Sequence, residues 1–315
     1  MVTTQEFTFP SSDGVHLVGA TWWKGETERP RAIVQLVHGI SEYIGRYDDF
    51  ARFLAECGYW VVGHDHLGHG RTATDPSEYG WFADKDGWKY VLKDTRTLRR
   101  LAGEACPEAP YFIMGHSMGS FVVRGYLSYW PGTVDGAILS GTGQEAPAKV
   151  NAGLALSGLL LKTKGPRAHS KLLDNLSVGA YNKQFKPTRT GADWISRDQA
   201  VVDAYCADPL CQFLPTVSMF HDMMHGLNLL ARKSTLARLD PNTPVYFFAG
   251  DRDPVGQQGK GVKKVARWFK EAGVKDVAVK LYPEGRHEML NETNHQQVYE
   301  DVLAWLEGHL KKKEA

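Results

Sequence analysis

Short apolar runs alternate with helical patterns along most of this chain, and that alternation restricts the fold more than any other feature. Two strand-like runs come first, Gln5–Phe9 and Val15–Trp22, joined by a Ser-Ser-Asp-Gly turn that indicates a hairpin. The runs that follow have the length and composition of strands buried on both faces: Ala32–Val37, Tyr59–Val62, Tyr111–Met114 and Ala137–Leu139. Helical patterns separate them, which is typical of parallel strands joined by crossover helices. The sequence therefore predicts an α/β fold with a mostly parallel, doubly wound sheet.

The alternation stops after residue 141 and resumes near residue 245. Strand-like runs return at Val245–Ala249 and Val277–Tyr282, and helical patterns follow them at Val262–Phe269 and Gln296–Leu310. The segment between has an irregular, helical pattern. Because this interruption lies between strands of one sheet, we predict an inserted, mainly helical cap at residues 142–218. The sheet domain then consists of residues 1–141 and 219–315.

Composition and charge exclude several classes of protein. The 315 residues are 43% hydrophobic and 23% charged, and 37 basic against 36 acidic residues leave a formal net charge of +1. That balance lacks the excess of basic residues that is typical of nucleic-acid-binding proteins. No run reaches the ~18 apolar residues of a transmembrane helix, and the N-terminus lacks the features of a signal peptide. The four cysteines are too scattered for a disulfide scaffold or a zinc ribbon, so we expect a cytoplasmic globular protein without a nucleic-acid partner.

One short motif carries the chemistry. The segment Gly115-His116-Ser117-Met118-Gly119 matches G-x-S-x-G, the nucleophile elbow, in which a serine sits on a sharp turn between a strand and a helix. Here the motif follows an apolar strand and opens a helical pattern, which is the context it requires. A serine hydroxyl is a weak nucleophile, so it needs exposure, a nearby base and donors for the developing oxyanion. We predict that Ser117 is a nucleophile.

The other members of such a site should follow in the order acid, then histidine. Asp251 and Asp253 come directly after the strand Val245–Ala249, and His287 follows the next strand. The carboxyl ends of parallel strands are where sheets of this kind build their sites. We predict that His287 is the base and that Asp253 orients it. Asp251 is the alternative, but the carboxylate nearest the strand is more often used to shape the turn.

The loop after the run Ala32–Val37 should supply one oxyanion donor. We assign the donors to the backbone N–H groups of Ile40 and Met118, and we expect His38 to brace the loop by hydrogen bonds. A second histidine pattern, His64-Asp65-His66-Leu67-Gly68-His69, could suggest a metal site. The two-metal hydrolase form of that pattern has an aspartate where this chain has Gly68, and further ligands are not evident. We therefore predict no metal site.

Together with the elbow, four further segments make the chain similar to a known superfamily. They are His38-Gly39-Ile40-Ser41-Glu42 followed by Arg46-Tyr47, then Asp65-His66-Leu67-Gly68-His69-Gly70-Arg71-Thr72, Gly250–Asp253, and Gly285-Arg286-His287-Glu288. In this order they resemble the α/β-hydrolases, specifically the branch of monoacylglycerol lipases, lysophospholipases and serine aminopeptidases. The resemblance implies an α/β-hydrolase fold, with Ser117, Asp253 and His287 as a triad and Ile40 and Met118 as oxyanion donors. It also implies a two-step acyl transfer that needs neither a metal nor an organic cofactor.

The predicted cap is rich in apolar side chains that could line a pocket for an acyl or aryl group. We select four candidates for substrate binding: Leu154, Leu156, Trp194 and Phe213. The run Leu154–Leu161, flanked by basic residues, could also make transient contact with a membrane surface.

The expected function is hydrolysis of small-molecule carboxylic esters, monoacylglycerol or lysophospholipid-like esters with a single acyl chain. One alternative is an aminopeptidase or amidase, which would bind a substrate ammonium group through acidic cap residues: Asp193, Asp198, Asp203 and Asp208. Another is a catalytically silent relative that binds ligands. Epoxide and haloalkane hydrolysis are disfavoured, because those reactions use an aspartate where this chain has Ser117.

Overall fold

One mostly parallel sheet organises the molecule. The computed structural model describes residues 1–176 and 178–310. Within them the strands are β1 (Thr3–Pro10), β2 (Leu17–Lys24), β3 (Ile33–Val37), β4 (Trp60–His64), β5 (Tyr111–His116), β6 (Gly136–Ser140), β7 (Val245–Gly250) and β8 (Val277–Tyr282). Their order across the sheet is β1-β2-β4-β3-β5-β6-β7-β8. β1 and β2 form the predicted antiparallel hairpin, β2 also pairs antiparallel with β4, and the remaining pairs are parallel. The predicted fold class is confirmed.

Helices cover both faces of this sheet. Within the described residues they are α1 (Asp48–Glu56), α2 (Gly87–Ala105), α3 (Met118–Tyr129), α4 (Pro147–Lys164), α5 (Lys171–Leu176), α6 (Val178–Tyr181), α7 (Gln199–Ala207), α8 (Val217–Leu230), α9 (Lys233–Leu236), α10 (Lys260–Glu271) and α11 (His295–Leu310). One buried core lies against α2, α3 and α10, and the other against α1 and α11. In β3, Ile33 and Val37 belong to the first core while Val34 and Leu36 belong to the second. This alternation follows from the two-residue period of a strand and explains why β3 is apolar throughout most of its length.

The helices α4 to α9 lie between β6 and β7, where the sequence pattern was interrupted. α4 packs along α8, and α8 packs on α2 and α3 of the sheet domain. Since α8 begins at Val217 and continues to Leu230, the predicted boundary after residue 218 falls inside a helix. The division into sheet domain and cap stays a prediction, and residues 311–315 of the predicted sheet domain lie outside the described residues. Among the described helices, none is both long and apolar enough to cross a membrane.

Candidate active site

Ser117 lies on a strained turn between β5 and α3. Its φ is 53° and its ψ is −121°, a conformation that costs energy for any residue except glycine. The Ser117 N–H donates to the carbonyl of Ser140 at 2.9 Å, which ties the turn to the end of β6. A Cβ atom on Gly115 would lie 2.3 Å from the carbonyl oxygen of Gly119, so the strand and helix meet too closely for a side chain there. The turn has the geometry that the elbow motif predicts.

His287 and Asp253 meet at the carboxyl ends of neighbouring strands. The Nδ1–H of His287 donates to Oδ1 of Asp253 at 2.9 Å, and both side chains are buried. The same oxygen accepts the N–H of Val255 at 2.9 Å, which fixes the carboxylate. Burial lowers the pKa of His287, but the charge and hydrogen bond of Asp253 act in the opposite direction, and the resulting pKa is raised. Since Nδ1 carries a proton, Nε2 is left as the proton acceptor of the neutral ring.

Asp251, the alternative acid, points elsewhere. Its Oδ1 accepts the N–H of Glu284 at 2.8 Å, and its side chain is 40% exposed. It therefore joins the loop after β7 to the loop after β8. This is the turn-shaping role expected of the carboxylate nearest the strand, whereas the catalytic role of Asp253 stays a prediction.

The ring of His287 lies over the backbone that holds Ser117. A Cβ atom on Gly141 would lie 3.0 Å from Cε1 of His287, and Gly141 directly follows the residue whose carbonyl binds the Ser117 N–H. On its other side the His287 ring packs on Trp194 from the segment before α7, with centroids 4.9 Å apart. Within the described residues, Ser117 Oγ and His287 are not hydrogen-bonded. Catalytic contacts of this kind commonly close only when substrate binds.

The two predicted oxyanion donors flank Ser117. Met118 is the first residue of α3, so its N–H has no acceptor within the helix. The loop after β3 passes close by, because a Cβ atom on Gly39 would lie 3.1 Å from Cβ of Ser117. The Gly39 N–H donates to a carboxylate oxygen of Glu42, which leaves the next N–H, that of Ile40, as the donor from this loop. The roles of Ile40 and Met118 stay predictions.

His38 braces this loop. Its Nδ1–H donates to the carbonyl of Gly39 at 2.7 Å, and its Nε2 accepts the N–H of His66 at 3.0 Å. Burial lowers the pKa of His64 to about 3 and that of His69 to about 4, so these rings are neutral. Over the described ranges, no group of histidine, cysteine and acidic side chains is arranged to hold a metal ion.

A buried ionic cluster beside the site has no counterpart among the predicted site residues. Arg46 donates to both carboxylate oxygens of Glu288, each at 2.7 Å, and to Glu42 at 3.2 Å. Glu288 directly follows His287, and that adjacency was the sequence signal that could have revealed it. Its partner Arg46 is 242 residues away in sequence, so only the fold reveals the pairing.

An apolar cavity of about 250 Å³ lies between the sheet domain and the helices inserted after β6. Ser117, Asp253 and His287 are not in its lining, but Phe121 lies about one helical turn after Ser117 and Val255 lies two residues after Asp253, so two of the lining residues are close in sequence to the candidate triad. Its apolar lining consists of Phe121, Ala152, Leu156, Leu173, Leu176, Tyr181, Phe220, Met223, Met224, Leu227 and Val255. Most of these were not among the predicted substrate-binding residues, because no local pattern distinguishes them from core residues.

The four predicted cap residues lie in different places. Both Leu154 and Leu156 pack against the core, but only Leu156 lines the cavity. Two residues on a helix that are two positions apart point to opposite sides, so both leucines could not face one cavity. Phe213 stacks on Tyr79 at 5.5 Å, away from the cavity lining, and Trp194 covers His287. The sequence marks these four residues as apolar but does not determine the direction in which each side chain points.

Three comparisons place the chain among known proteins. Residues 28–294 match the family described as serine aminopeptidase, S33. The monoacylglycerol lipase of Mycolicibacterium smegmatis is 32% identical over 319 residues, covering 98% of this chain and 99% of that protein. A thermostable carboxyl esterase from Bacillus coagulans has a similar structure, with a TM-score of 0.91, 33% identity and coverage of 98% and 99% of the two chains. A soluble variant of monoglyceride lipase from Saccharomyces cerevisiae has a TM-score of 0.73 at 22% identity, covering 97% and 94%, and indicates the fold alone.

Proposed function

The chain belongs to the serine aminopeptidase S33 family of the α/β-hydrolase fold, and from this premise we propose that it hydrolyses carboxylic esters with a single acyl chain. The resemblance to the monoacylglycerol lipase branch is confirmed, and the chain is a carboxylic ester hydrolase. The proposed substrates are monoacylglycerol or lysophospholipid-like esters. The observation that carries the proposed mechanism is the buried 2.9 Å hydrogen bond between His287 and Asp253, beside the strained Ser117.

The mechanism follows from the placement of these groups. Ser117 Oγ attacks the ester carbonyl carbon while Nε2 of His287 takes the hydroxyl proton. The oxyanion that forms accepts hydrogen bonds from the N–H groups of Ile40 and Met118. Protonated His287 then donates to the leaving alcohol, which leaves an acyl-enzyme on Ser117. Water, deprotonated by His287, attacks that ester, and the acid is released as the serine regains its proton.

The arrangement of the four candidate aspartates favours ester substrates over substrates with a free amine. The four candidate aspartates are already engaged: Asp198 accepts the N–H of Ala200 at 2.9 Å, and Asp208 accepts the hydroxyl of Tyr43 at 2.9 Å. Asp193 is bound by Thr190, and Asp203 by Arg189. In addition, none of the four lines the cavity, so none is placed to bind the ammonium group of a substrate held there. A catalytically silent relative remains the alternative that an absence of ester turnover would favour.

The cavity predicts how activity depends on acyl-chain length. With p-nitrophenyl esters, kcat/KM should rise by up to about fourfold per methylene, the equivalent of ~0.8 kcal/mol, until the cavity is full. The enlarged side chain in Leu156→Phe should move the optimum to shorter chains. Leu159→Phe is the matched control, because Leu159 lies on the same helix but is exposed outside the cavity. An optimum that both substitutions leave unchanged would place the acyl chain elsewhere, and faster cleavage of aminoacyl anilides than of monoglycerides would favour the aminopeptidase alternative.

We also propose that the cavity mouth makes transient contact with a lipid surface. Leu159 of α4 is 58% exposed, and Leu172 and Leu176 of α5 are 53% and 54% exposed. Leu176 also lines the cavity and Leu172 lies on the same helix, so exposed apolar side chains continue from the cavity lining onto the surface. Lys162 and Lys164 lie in the last turn of α4, the helix that carries Leu159, and could bind lipid head groups. A single-chain lipid could then pass from a membrane into the cavity without crossing water.

Sedimentation with phospholipid vesicles tests this contact. The double substitution Leu159→Asp and Leu172→Asp should reduce the vesicle-bound fraction, because a charged side chain opposes insertion among acyl chains. Turnover of a short, water-soluble ester should not change. Leu17→Asp is the control, since Leu17 is equally exposed, at 58%, on β2 of the hairpin. Equal vesicle binding by all variants would show that the cap leucines do not contact lipid.

A further inference from the structure

Arg46 and its two carboxylate partners form a buried link between separate parts of the candidate site. We name Glu42, Arg46 and Glu288 the Arg46 cluster. Their side chains are 5%, 11% and 7% exposed, respectively. Glu42 and Arg46 belong to the segment after β3, which carries the proposed donor Ile40, whereas Glu288 belongs to the loop after β8. A bidentate arginine–carboxylate pair fixes both distance and orientation.

On one side the cluster holds the loop after β3, which contains Gly39 and the proposed oxyanion donor Ile40 and is called the oxyanion loop. The Gly39 N–H and the Tyr47 hydroxyl both donate to Oε1 of Glu42, the latter at 2.9 Å. The carboxylate thereby closes the turn that contains Gly39 and Ile40. Any shift of Glu42 would change the direction of the peptide that presents the Ile40 N–H.

On the other side the cluster holds the loop after β8, which contains His287 and Glu288. Oε2 of Glu288 also accepts from the side-chain amide of Asn291 at 2.9 Å. The backbone N–H of Glu288 donates to the carbonyl of Ile195 at 2.7 Å, which ties the same loop to the segment that contains Trp194. His287 precedes Glu288 directly, so the position of the base depends on this anchor.

Residues between β6 and β7 cover the cluster. The ring of Tyr205 in α7 lies 4.9 Å from the Arg46 guanidinium. Close by, Tyr43 donates to Asp208 at 2.9 Å, and the Ser41 hydroxyl donates to the carbonyl of Phe213 at 3.0 Å. The segment after β3 that carries Ile40 is thus attached at several points to the segment between β6 and β7.

We propose that Arg46 is a positioning residue that holds the oxyanion donor of the β3 loop and the His287 base in register by binding Glu42 and Glu288 together. This inference rests on the proposed function, since it assigns Arg46 to the same acyl transfer. Arg46 touches no reacting atom. It acts by setting the relative position of two groups that must both meet the substrate carbonyl, and misplacement of such groups by about 1 Å can cost on the order of a hundredfold in rate.

The electrostatics of the cluster support a role in catalysis. Although burial acts to raise it, the charge and hydrogen bonds of Arg46 lower the pKa of Glu288, so Glu288 is ionised at neutral pH. Burial raises the pKa of Glu42, and the charge of Arg46 opposes that rise. The groups that face His287 are Asp253, Glu288 and Glu42, whose charges raise its pKa, and the ring of His116, 4.6 Å away. Removing the charge of Glu288 should therefore lower the pKa of His287.

The first experiment compares kcat and KM for a short p-nitrophenyl ester. Each variant is titrated with a fluorophosphonate, so that rates refer to reactive sites and not to total protein. Arg46→Gln should lower kcat by about 10- to 100-fold with KM changed less than about threefold, because alignment and not binding is lost. Arg46→Lys, which keeps the charge but not the bidentate geometry, should give an intermediate kcat. The control is Arg31→Gln, which breaks the exposed pair with Glu307.

The second experiment measures the pH profile of kcat/KM. The base must be neutral, so activity should fall as pH drops through the pKa of His287, which Asp253 raises above the ordinary value of a histidine in the wild type. Glu288→Gln keeps the size and an acceptor oxygen but removes the charge, and it should move this acid limb to lower pH. Glu307→Gln is the matched control and should leave the limb in place.

The outcomes separate this inference from the proposed function. If the wild type reacts with fluorophosphonate but cleaves no ester, the proposed function fails. If the wild type cleaves esters and Arg46→Gln keeps its kcat per titrated site and its acid limb, the cluster is merely structural and the inference is wrong. If Arg46→Gln does not fold, Glu288→Gln becomes the deciding variant. An acid limb at the wild-type pH in the kcat/KM profile of Glu288→Gln overturns the inference by itself.

Discussion

Substitution of Ser117 by alanine is expected to abolish ester turnover, with a loss in kcat on the order of 10⁶. The hydroxyl is the group that forms the acyl-enzyme, and no other serine occupies the turn between β5 and α3. A fluorophosphonate probe should label the wild type at Ser117 and leave Ser117→Ala unlabelled. Labelling followed by peptide mass spectrometry, together with p-nitrophenyl ester turnover, measures both effects.

Ser128→Ala is the control for that result. Ser128 lies in α3, the helix that follows Ser117, is also buried, and its hydroxyl donates to the carbonyl of Arg124 at 3.1 Å. The substitution should leave labelling and turnover close to the wild-type values. Persistent labelling of Ser117→Ala at a different serine would show that the nucleophile has been assigned incorrectly.

The second large effect on kcat is expected for Asp253 and not for its neighbour Asp251. Asp253→Asn should lower kcat by about 10⁴, because an amide at this position favours the wrong tautomer of His287 and cannot stabilise its protonated form. Asp251→Asn should stay within about tenfold of the wild type, since Asp251 binds the Glu284 N–H and not the histidine. Saturating p-nitrophenyl ester kinetics on both variants provide the measurement. If Asp251→Asn showed the greater loss, the acid would have been placed two residues from its true position.

The sequence predicted the sheet and the order of the candidate triad because both depend on local patterns. Continuous apolar runs mark strands that are buried on two faces, and β3, β5, β6 and β7 are buried along their whole length. In a parallel sheet, the residues that follow such strands meet at one edge. Ser117, Asp253 and His287 each follow a strand, so the strand pattern alone is enough to expect that they converge.

The interruption between β6 and β7 could be located from the sequence, but the direction of the side chains in it could not. Its apolar residues have no period that relates them to the site, because α4 is apolar around much of its circumference. Leu154 and Leu156 look equivalent in the sequence, yet only Leu156 lines the cavity. The boundary at residue 218 was placed inside α8 for a similar reason, since that helix packs on both the inserted helices and the sheet domain.

By itself, then, the sequence determined the fold class, the elbow and the succession of candidate catalytic groups, since each depends on residues that are adjacent or periodic in the chain. Only the tertiary structure decided which carboxylate binds His287, which apolar side chains enclose the cavity, and that Arg46 pairs with Glu288 across 242 positions of sequence. These features depend on side-chain direction and on contacts between distant segments. Hydrophobic burial, which the sequence pattern records, is non-directional, whereas a hydrogen bond or a cavity wall forms only where the packed backbone brings particular atoms together.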